Sequence, residues 1–194
     1  MFKSERSALR VKETVTKYLE NKLYVKVNQD KTTVAFITKI KFLGFGFYID
    51  KGGNAQITVH KKSQEKMKKR IREITKRNRA ISSKQLAEEL KVYIRGWVNY
   101  FRIANMKEFL RRIDKWMRRR IRMIYWKRWK LVRTKYRNLI KLGINRSKAW
   151  EWANTRKSYW RIANSFILTR TLTNDVLKQY GFINSLDYYK SINL

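Results

Sequence analysis

The sequence contains no cysteine and a single histidine, His60. Without cysteine there is neither a disulfide nor a thiolate metal site, and one histidine alone supplies too few ligands for zinc. No run of apolar residues approaches the length of a membrane span, and the opening residues MFKSERSALR lack the apolar stretch of a secretory signal. We therefore expect a cytoplasmic protein that does not contact a membrane.

Acidic residues are also scarce. The 194 residues include 48 Lys and Arg but only 14 Asp and Glu, which gives a formal net charge of +34. Self-repulsion at that charge is large, so a polyanion is the expected partner. Nucleic acid is the leading candidate, because Lys and Arg that neutralise phosphates release condensed counterions. An anionic membrane surface is the weaker alternative, since aromatic residues and neutral segments interrupt the cations.

Motifs for catalysis are missing as well. There is no paired-carboxylate motif for a metal ion, no glycine-rich phosphate loop and no nucleophile with a nearby base. The glycines of KFLGFGFY, Gly44 and Gly46, lack the spacing of a dinucleotide-binding or P-loop motif. We therefore predict no catalytic residue and no metal ligand, and a function based on binding.

The strongest positive signal is a basic and aromatic stretch in the middle of the chain. Between Arg111 and Arg137 there are thirteen Lys or Arg and a single acid, Asp114. Apolar side chains recur at helical spacing on one face, at Phe109, Ile113, Trp116, Ile121 and Ile124. A second face is basic and carries Arg111, Lys115, Arg118 and Arg122. A disordered tail would not keep this period, and an ordinary solvated face mixes both signs. We therefore predict a helix with one side in a core and the other presented to an anion.

The remaining pattern predicts an α+β chain that divides near residue 62. A first helix over residues 4–21, capped by Ser4, precedes a turn at 28–30 and a hairpin loop at 50–54. Alternating or β-branched residues predict four strands, at 23–27, 32–36, 41–49 and 55–60.

After residue 62 every signal is helical. Predicted helix starts are Ser63, Ser82 or Ser83, Asn105 with Glu108 as a capping box, and Ser147. A further helix runs through Trp129, Val132, Tyr136 and Leu139 to a stop at Gly143, and a last one runs from Ile167 to Gln179 with a stop at Gly181.

Several separated motifs occur in an order that resembles a known family. They are SERSALRV, VNQDKT, KFLGFGFY, HKKSQEKMKKRIREIT, YIRGWVNYF, RKSYWRIANS and LKQYGFINSLDYY. Together they resemble the C-terminal part of a bacterial group II intron-encoded protein of the reverse transcriptase/maturase family, over essentially the whole chain. The resemblance implies an antiparallel palm remnant with one helix at 1–60, thumb helices at 61–104, and the all-helical maturase-specific domain X at 105–194.

The resemblance also implies partners and missing parts. In the family, thumb and domain X grip group II intron RNA for splicing and hold the RNA–DNA primer–template duplex during copying, and Mg²⁺ serves the intron RNA and the complete polymerase. The Tyr-Ala-Asp-Asp turn that holds those ions would precede Met1, so we expect no polymerase activity from this chain alone. A truncated reading frame, or half of a split enzyme that needs an N-terminal reverse transcriptase fragment, would explain this.

Lys31 matches a family lysine near the polymerase site, and Gly44 and Gly46 match a segment close to the primer. The family's Cys- and His-rich endonuclease is absent, so we do not expect cleavage of target DNA.

The predicted RNA contacts are cations and aromatics in the basic segments. Tyr159 and Trp160 could stack on exposed bases, although a core tryptophan beside a surface arginine fits the same residues. The full set is Lys61, Lys62, Lys69, Arg70, Arg111, Arg112, Lys115, Arg118, Arg119, Arg122, Arg128, Lys130, Arg133, Arg137, Arg156, Lys157, Tyr159, Trp160 and Arg161. Three hypotheses remain: an RNA-binding maturase module, the C-terminal half of a split polymerase, and a non-specific basic nucleic-acid-binding protein.

Overall fold

The computed structural model describes residues 4–193. Over this range the chain is mainly helical, with one two-stranded antiparallel sheet. The elements are α1 (Glu5–Lys22), β1 (Phe45–Ile49), β2 (Ala55–Val59), α2 (Lys61–Ile74), α3 (Ser83–Tyr100), α4 (Lys107–Arg128), α5 (Val132–Lys141), α6 (Arg146–Ala153), α7 (Tyr159–Ile162), α8 (Phe166–Thr171), α9 (Asn174–Gln179) and α10 (Ser185–Ser191). The predicted α+β class is confirmed.

Helix α1 starts after Ser4 as predicted and ends one residue later than predicted, at Lys22, but it does not pack on the core. The Ser4 hydroxyl accepts from the Ser7 N–H at 3.2 Å, as an N-cap does. No residue of α1 is buried, and Val11 and Val15 on its apolar side are 38% and 49% exposed. Among the described residues, the apolar side of α1 therefore contributes nothing to the hydrophobic core.

The sheet has two strands rather than four. Strands β1 and β2 pair with Phe45 opposite Val59 and Ile49 opposite Ala55, as the hairpin pattern predicts. The turn at 28–30 is also correct, because the Thr32 N–H donates to the Asn28 carbonyl oxygen at 3.1 Å. The strands predicted at 23–27 and 32–36 are wrong. Both segments have the composition of strands, but no neighbouring strand pairs with them, and none of their residues is buried.

Three predicted helix starts need correction. Helix α2 is capped by His60 and not by Ser63. The His60 ring accepts from the Lys62 N–H at 3.2 Å, while the Ser63 hydroxyl donates to the Gly44 carbonyl at 2.9 Å.

Asn105 does not cap α4. Its main-chain N–H donates to the Ile57 carbonyl at 2.8 Å, which attaches the start of α4 to the hairpin. Helix α6 is capped by Asn145 rather than Ser147, with the Lys148 N–H as donor at 2.9 Å. The predicted cap of α3 is correct and is Ser82, which accepts from the Gln85 N–H at 3.0 Å.

The helices near the C-terminus are shorter than the sequence suggests. Trp129 ends α4 instead of opening the next helix. The predicted helix 167–179 is two helices, because Thr173 starts α9 by accepting from the Val176 N–H at 3.3 Å. Gly143 and Gly181 follow their helices with φ of +84° and +86°, as C-terminal stops require.

One hydrophobic core runs from β2 to α10, and α4 and α3 contribute more buried apolar residues to it than any other elements. The large buried residues of α3 repeat every four positions, at Leu86, Leu90, Ile94 and Val98. Those of α4 include Leu110, Met117 and Ile121, each at most 1% exposed. Burying one such side chain stabilises the fold by about 1.5–3 kcal/mol, so this pair of helices fixes the positions of the surfaces described next. Among the described residues no helix is long and apolar enough to cross a membrane.

Candidate nucleic-acid interface

Helix α4 separates its apolar and basic sides as its period predicts. Ile113, Ile121 and Ile124 are each at most 2% exposed, whereas Trp116 is only half-buried. Arg111, at the start of the helix, is exposed. The cations of α4 nevertheless divide into those that face solvent and those that hold the protein together.

The single acid of the basic stretch, Asp114, is buried and caps another helix. Its Oδ1 accepts from the N–H and the hydroxyl of Ser185 at 3.0 and 2.7 Å, and its Oδ2 accepts from the Leu186 N–H at 3.0 Å. These donors open α10, where main-chain N–H groups lack partners and the helix dipole favours a negative charge. Burial raises the pKa of Asp114, and the hydrogen bonds from Leu186 and Ser185 oppose that rise. Asp114 therefore fixes α10 to α4.

Two arginines of α4 hold the connection between α2 and α3. Arg120 donates to the carbonyl oxygens of Arg72 and Thr75 at 3.2 and 3.1 Å, at the carboxyl end of α2. Arg128 donates to the carbonyl oxygen of Ile81 at 2.8 Å, just before α3. The last carbonyls of a helix lack intrahelical partners and carry partial negative charge. The Arg120 guanidinium therefore supplies both hydrogen-bond donors and a positive charge at the end of α2. Both side chains are half-buried, and the RNA contact predicted for Arg128 stays a prediction.

Arg122 does not lie on an exposed face, and that part of the prediction is wrong. It is 8% exposed, and its Nε donates to the Leu172 carbonyl oxygen at 2.9 Å, where α8 ends. Burial lowers the pKa of the guanidinium, and the nearby charge of Arg118 lowers it further. Arg122 continues the row of Arg111, Lys115 and Arg118 along the helix, but the end of α8 covers this last position. The exposed basic face of α4 therefore ends near Arg118, which is half-buried.

Most of the other predicted RNA contacts are exposed. They are Lys61, Lys62, Lys69 and Arg70 on α2, Arg111, Arg112 and Lys115 on α4, Lys130, Arg133 and Arg137 at α5, and Arg156, Lys157 and Arg161 at α7. Arg70 and Arg111 each pair with a glutamate one turn away, Glu73 and Glu108. Exposed pairs of this kind contribute little, so the cations are available to phosphates. Contact with RNA stays a prediction for all of these residues.

Three separate segments meet in one basic and aromatic group, which we term the Trp160 cluster: Arg77, Arg119, Tyr159 and Trp160. The Arg119 guanidinium carbon lies 3.9 Å from the centroid of the Trp160 ring, and its Nε and Nη2 donate to the Trp160 carbonyl oxygen at 3.3 and 3.0 Å. The Arg77 guanidinium carbon lies 5.7 Å from the Tyr159 ring centroid. Trp160 is 38% exposed, so it is not a core tryptophan.

Sequence reasoning missed Arg77, which lies in the short connection after α2. It belongs to a basic run from Lys66 to Arg79 that holds one acid, Glu73. This run is the feature of the sequence that could have indicated Arg77 as a binding residue. The run is more than 80 residues from Tyr159 in the chain, and nothing in the sequence indicates that they meet. Helix α4 brings them together, because Arg120 fixes the end of α2 while Arg119 fixes α7.

The residues matched to the polymerase site have structural explanations of their own. Gly44 has a φ of +87°, and a Cβ there would lie 2.9 Å from the Ser63 hydroxyl. Gly46 is buried in β1, opposite Thr58. Lys31 is exposed, and its N–H donates to the Asn28 side chain at 3.1 Å within the turn. Their proximity to a polymerase site stays a prediction.

Within residues 4–193 no three His, Cys, Asp or Glu side chains come close enough to hold a metal ion. The donors that the structure presents in quantity are instead guanidinium and ammonium groups on helices. Such groups bind phosphate oxygens, and guanidinium also stacks on aromatic rings.

The structure therefore describes a strongly basic, mainly helical protein whose exposed charges are predominantly positive. Residues 64–143 match the family model of the group II intron, maturase-specific domain. The match covers nearly all of α2 together with α3, α4 and α5, and over this segment it confirms the resemblance to the C-terminal maturase part of a group II intron protein. It spans both sides of residue 105, and the division into thumb and domain X stays a prediction. No curated protein matches the chain.

Proposed function

We propose that the chain is an RNA-binding maturase module that grips structured group II intron RNA and promotes its splicing. The supporting observation is that the segment matched by the family, residues 64–143, carries exposed cations on three helices. They are Lys69 and Arg70 on α2, Arg111, Arg112 and Lys115 on α4, and Arg133 and Arg137 on α5. Because the helices are joined through one core, these cations form fixed surfaces rather than a flexible tail.

The mechanism is binding rather than chemistry. A ligand that binds only the folded form of a molecule stabilises it by RT ln(1 + [L]/Kd), about 2.7 kcal/mol when the ligand is a hundredfold above Kd. Here the protein is the ligand, and many phosphate contacts favour the folded ribozyme. The 2′-hydroxyl of the RNA or a water then attacks the splice site, with Mg²⁺ held by the RNA. In a complete protein the same helices would hold the primer–template duplex.

The test is binding to a folded group II intron RNA and to a length-matched scrambled RNA across a salt series. We expect tighter binding to the intron and a slope of log K against log salt of about −0.7 to −0.9 for each phosphate neutralised. A flat salt response would contradict the proposal. Equal affinity for both RNAs and for random duplex DNA would favour a non-specific basic protein.

The site on α4 is tested by charge reversal at exposed positions, Arg111→Glu together with Lys115→Glu. Arg122 is unsuitable, since a glutamate there would be buried against the Leu172 carbonyl. We expect the salt slope to fall by about 2, because about one unit is lost for each phosphate contact removed. The matched control is Arg6→Glu with Arg10→Glu, an equally spaced exposed pair on α1 outside the matched segment. Equal losses in both variants would show that net charge alone matters.

A second function, the C-terminal half of a split RNA-directed DNA polymerase, is favoured by the apolar exposure before β1. Val15 and Tyr18 of α1 are 49% and 58% exposed, and Phe36 and Leu43 are 77% and 65% exposed. A palm fragment that carries the metal-binding aspartates would cover such a surface. Adding that fragment should then give Mg²⁺-dependent primer extension, and a complex that forms without extension would dispose of this function.

A further inference from the structure

We propose that the Trp160 cluster binds an unpaired base of RNA, which stacks on the exposed part of the Trp160 indole. This inference rests on the proposed function because both take RNA as the ligand. It goes further by naming what one site binds, which is a single-stranded nucleotide and not the backbone of a duplex. The exposed cations of α2, α4 and α5 on which the proposed function rests, such as Lys69, Arg111 and Arg133, take no part in it.

The indole is held in place before any ligand binds. Arg119 lies over the ring at 3.9 Å and also donates twice to the carbonyl of the same residue, so ring and main chain are fixed by one side chain. Arg119 itself projects from the middle of α4, between the buried positions Met117 and Ile121. An aromatic ring fixed in this way loses little conformational freedom on binding, which favours affinity.

Trp160 is far more exposed than the tryptophans of the core. Trp126 and Trp152 are 1% and 6% exposed, because the core covers them. Trp160 remains 38% exposed although it is stacked on a cation, so apolar ring surface stays in contact with water. A flat, apolar ligand that covers this surface removes that unfavourable contact.

The charge around the ring selects a base that is attached to phosphates. Arg77 lies over Tyr159, the neighbour of Trp160, and Arg161 on the other side is exposed. A stacked nucleotide therefore has cations next to its flanking phosphates. An isolated phosphate would gain nothing from the indole, and an uncharged aromatic ligand would lack the attraction between these cations and phosphate oxygens.

The base must be unpaired because a duplex does not offer the face of a base. In A-form RNA the faces are covered by neighbouring base pairs, and proteins stack aromatic side chains on bases in loops, bulges and ends. Stacking of one base on an aromatic side chain typically changes affinity by about five- to a hundredfold on alanine substitution, and it tolerates any sequence.

The experiment compares two RNA hairpins with the same stem, one fully paired and one with a single bulged 2-aminopurine, whose fluorescence is quenched by stacking. We expect the protein to prefer the bulged hairpin and to quench its fluorescence. Trp160→Ala should weaken binding of the bulged hairpin about five- to a hundredfold and leave the paired hairpin unchanged, and Trp160→Phe should retain part of the preference. The control is Trp150→Ala, since Trp150 is 60% exposed on α6 but packs on Tyr136 outside the cluster.

Three results would overturn the inference: no preference for the bulged hairpin in the unaltered protein, an unchanged preference in Trp160→Ala, or equal losses for both hairpins. Thermal unfolding of each variant separates a lost contact from a lost fold, and Trp160→Ala and Trp160→Phe both keep the main-chain carbonyl to which Arg119 donates. The hairpins contain no intron sequence. A preference for the bulge without a preference for intron RNA would therefore leave this inference standing while the proposed function fails.

Discussion

Replacement of Asp114 by alanine tests how the basic helix α4 holds the end of the chain. The carboxylate is 2% exposed and accepts three hydrogen bonds from Ser185 and Leu186. Without it the Ser185 N–H has no remaining acceptor, whereas the Leu186 N–H keeps the Asn184 side chain at 3.2 Å. We therefore expect α10 to loosen from α4, while the rest of the core stays folded.

The expected magnitude follows from these contacts. One buried N–H without an acceptor costs about 1–3 kcal/mol, and each lost hydrogen bond to a charged group costs about 1.5–3 kcal/mol. Relief of the burial that raises the pKa of Asp114 offsets part of the loss. We expect a net loss of about 3 kcal/mol for Asp114→Ala and about half of that for Asp114→Asn, which keeps one acceptor oxygen.

The assay is thermal and urea unfolding, with Glu151→Ala as the control because it removes one exposed acid from the same protein. A loss of about 3 kcal/mol corresponds to a fall in Tm of about 6–12 °C for a chain of this size. Surface substitutions usually change stability by less than about 0.5 kcal/mol. An Asp114→Ala protein as stable as the Glu151→Ala control would refute the role of Asp114 as a cap.

Two further substitutions separate structural roles from binding roles. Gly44→Ala should destabilise the protein by about 1–3 kcal/mol, because alanine is strained at a φ of +87° and its Cβ would lie 2.9 Å from the Ser63 hydroxyl. Gly53→Ala, at a φ of +80° with no atom near its Cβ, should cost less, and an equal urea midpoint for the two variants would contradict the crowding argument. Arg122→Met should leave the Leu172 carbonyl unsatisfied and lower Tm, with a salt slope of RNA binding equal to that of the unaltered protein. A reduced slope would mean that Arg122 contacts phosphate after all.

Some cations of α4 make tertiary contacts and others are exposed, so the basic composition does not report only on a binding partner. Arg120, Arg122 and Arg128 each donate to main-chain carbonyls of other segments, so part of the charge of this helix serves the fold. The net charge of the sequence alone would suggest that all of these arginines bind a polyanion. Only the cations that remain exposed, such as Arg111 and Lys115, can neutralise phosphates without unmaking a tertiary contact.

Local chemistry explains which predictions from the sequence are confirmed. The start of α1 at Ser4 and the cap of α3 at Ser82 depend on hydrogen bonds within three residues. The end of α5 at Gly143 depends on the backbone freedom of one residue. The buried side of α4 follows from a period that any helix must keep. The bias toward one sign of charge needs only composition, and the polyanion partner expected from it stays a prediction.

Contacts between residues far apart in sequence decided the rest. The segments 23–27 and 32–36 have the composition of strands but form none, because a strand needs a neighbour to pair with. Arg122 follows the period of the exposed face, yet the end of α8, some 50 positions later, buries it. Trp160 could have been a core residue or a surface residue, and Arg119, 41 positions earlier, fixes it at the surface. The sequence by itself determined the existence of helices α1 to α6, the charge and the family resemblance of this protein. Only the tertiary structure decided which cations face outward, because burial depends on what packs against a residue and not on its neighbours in the chain.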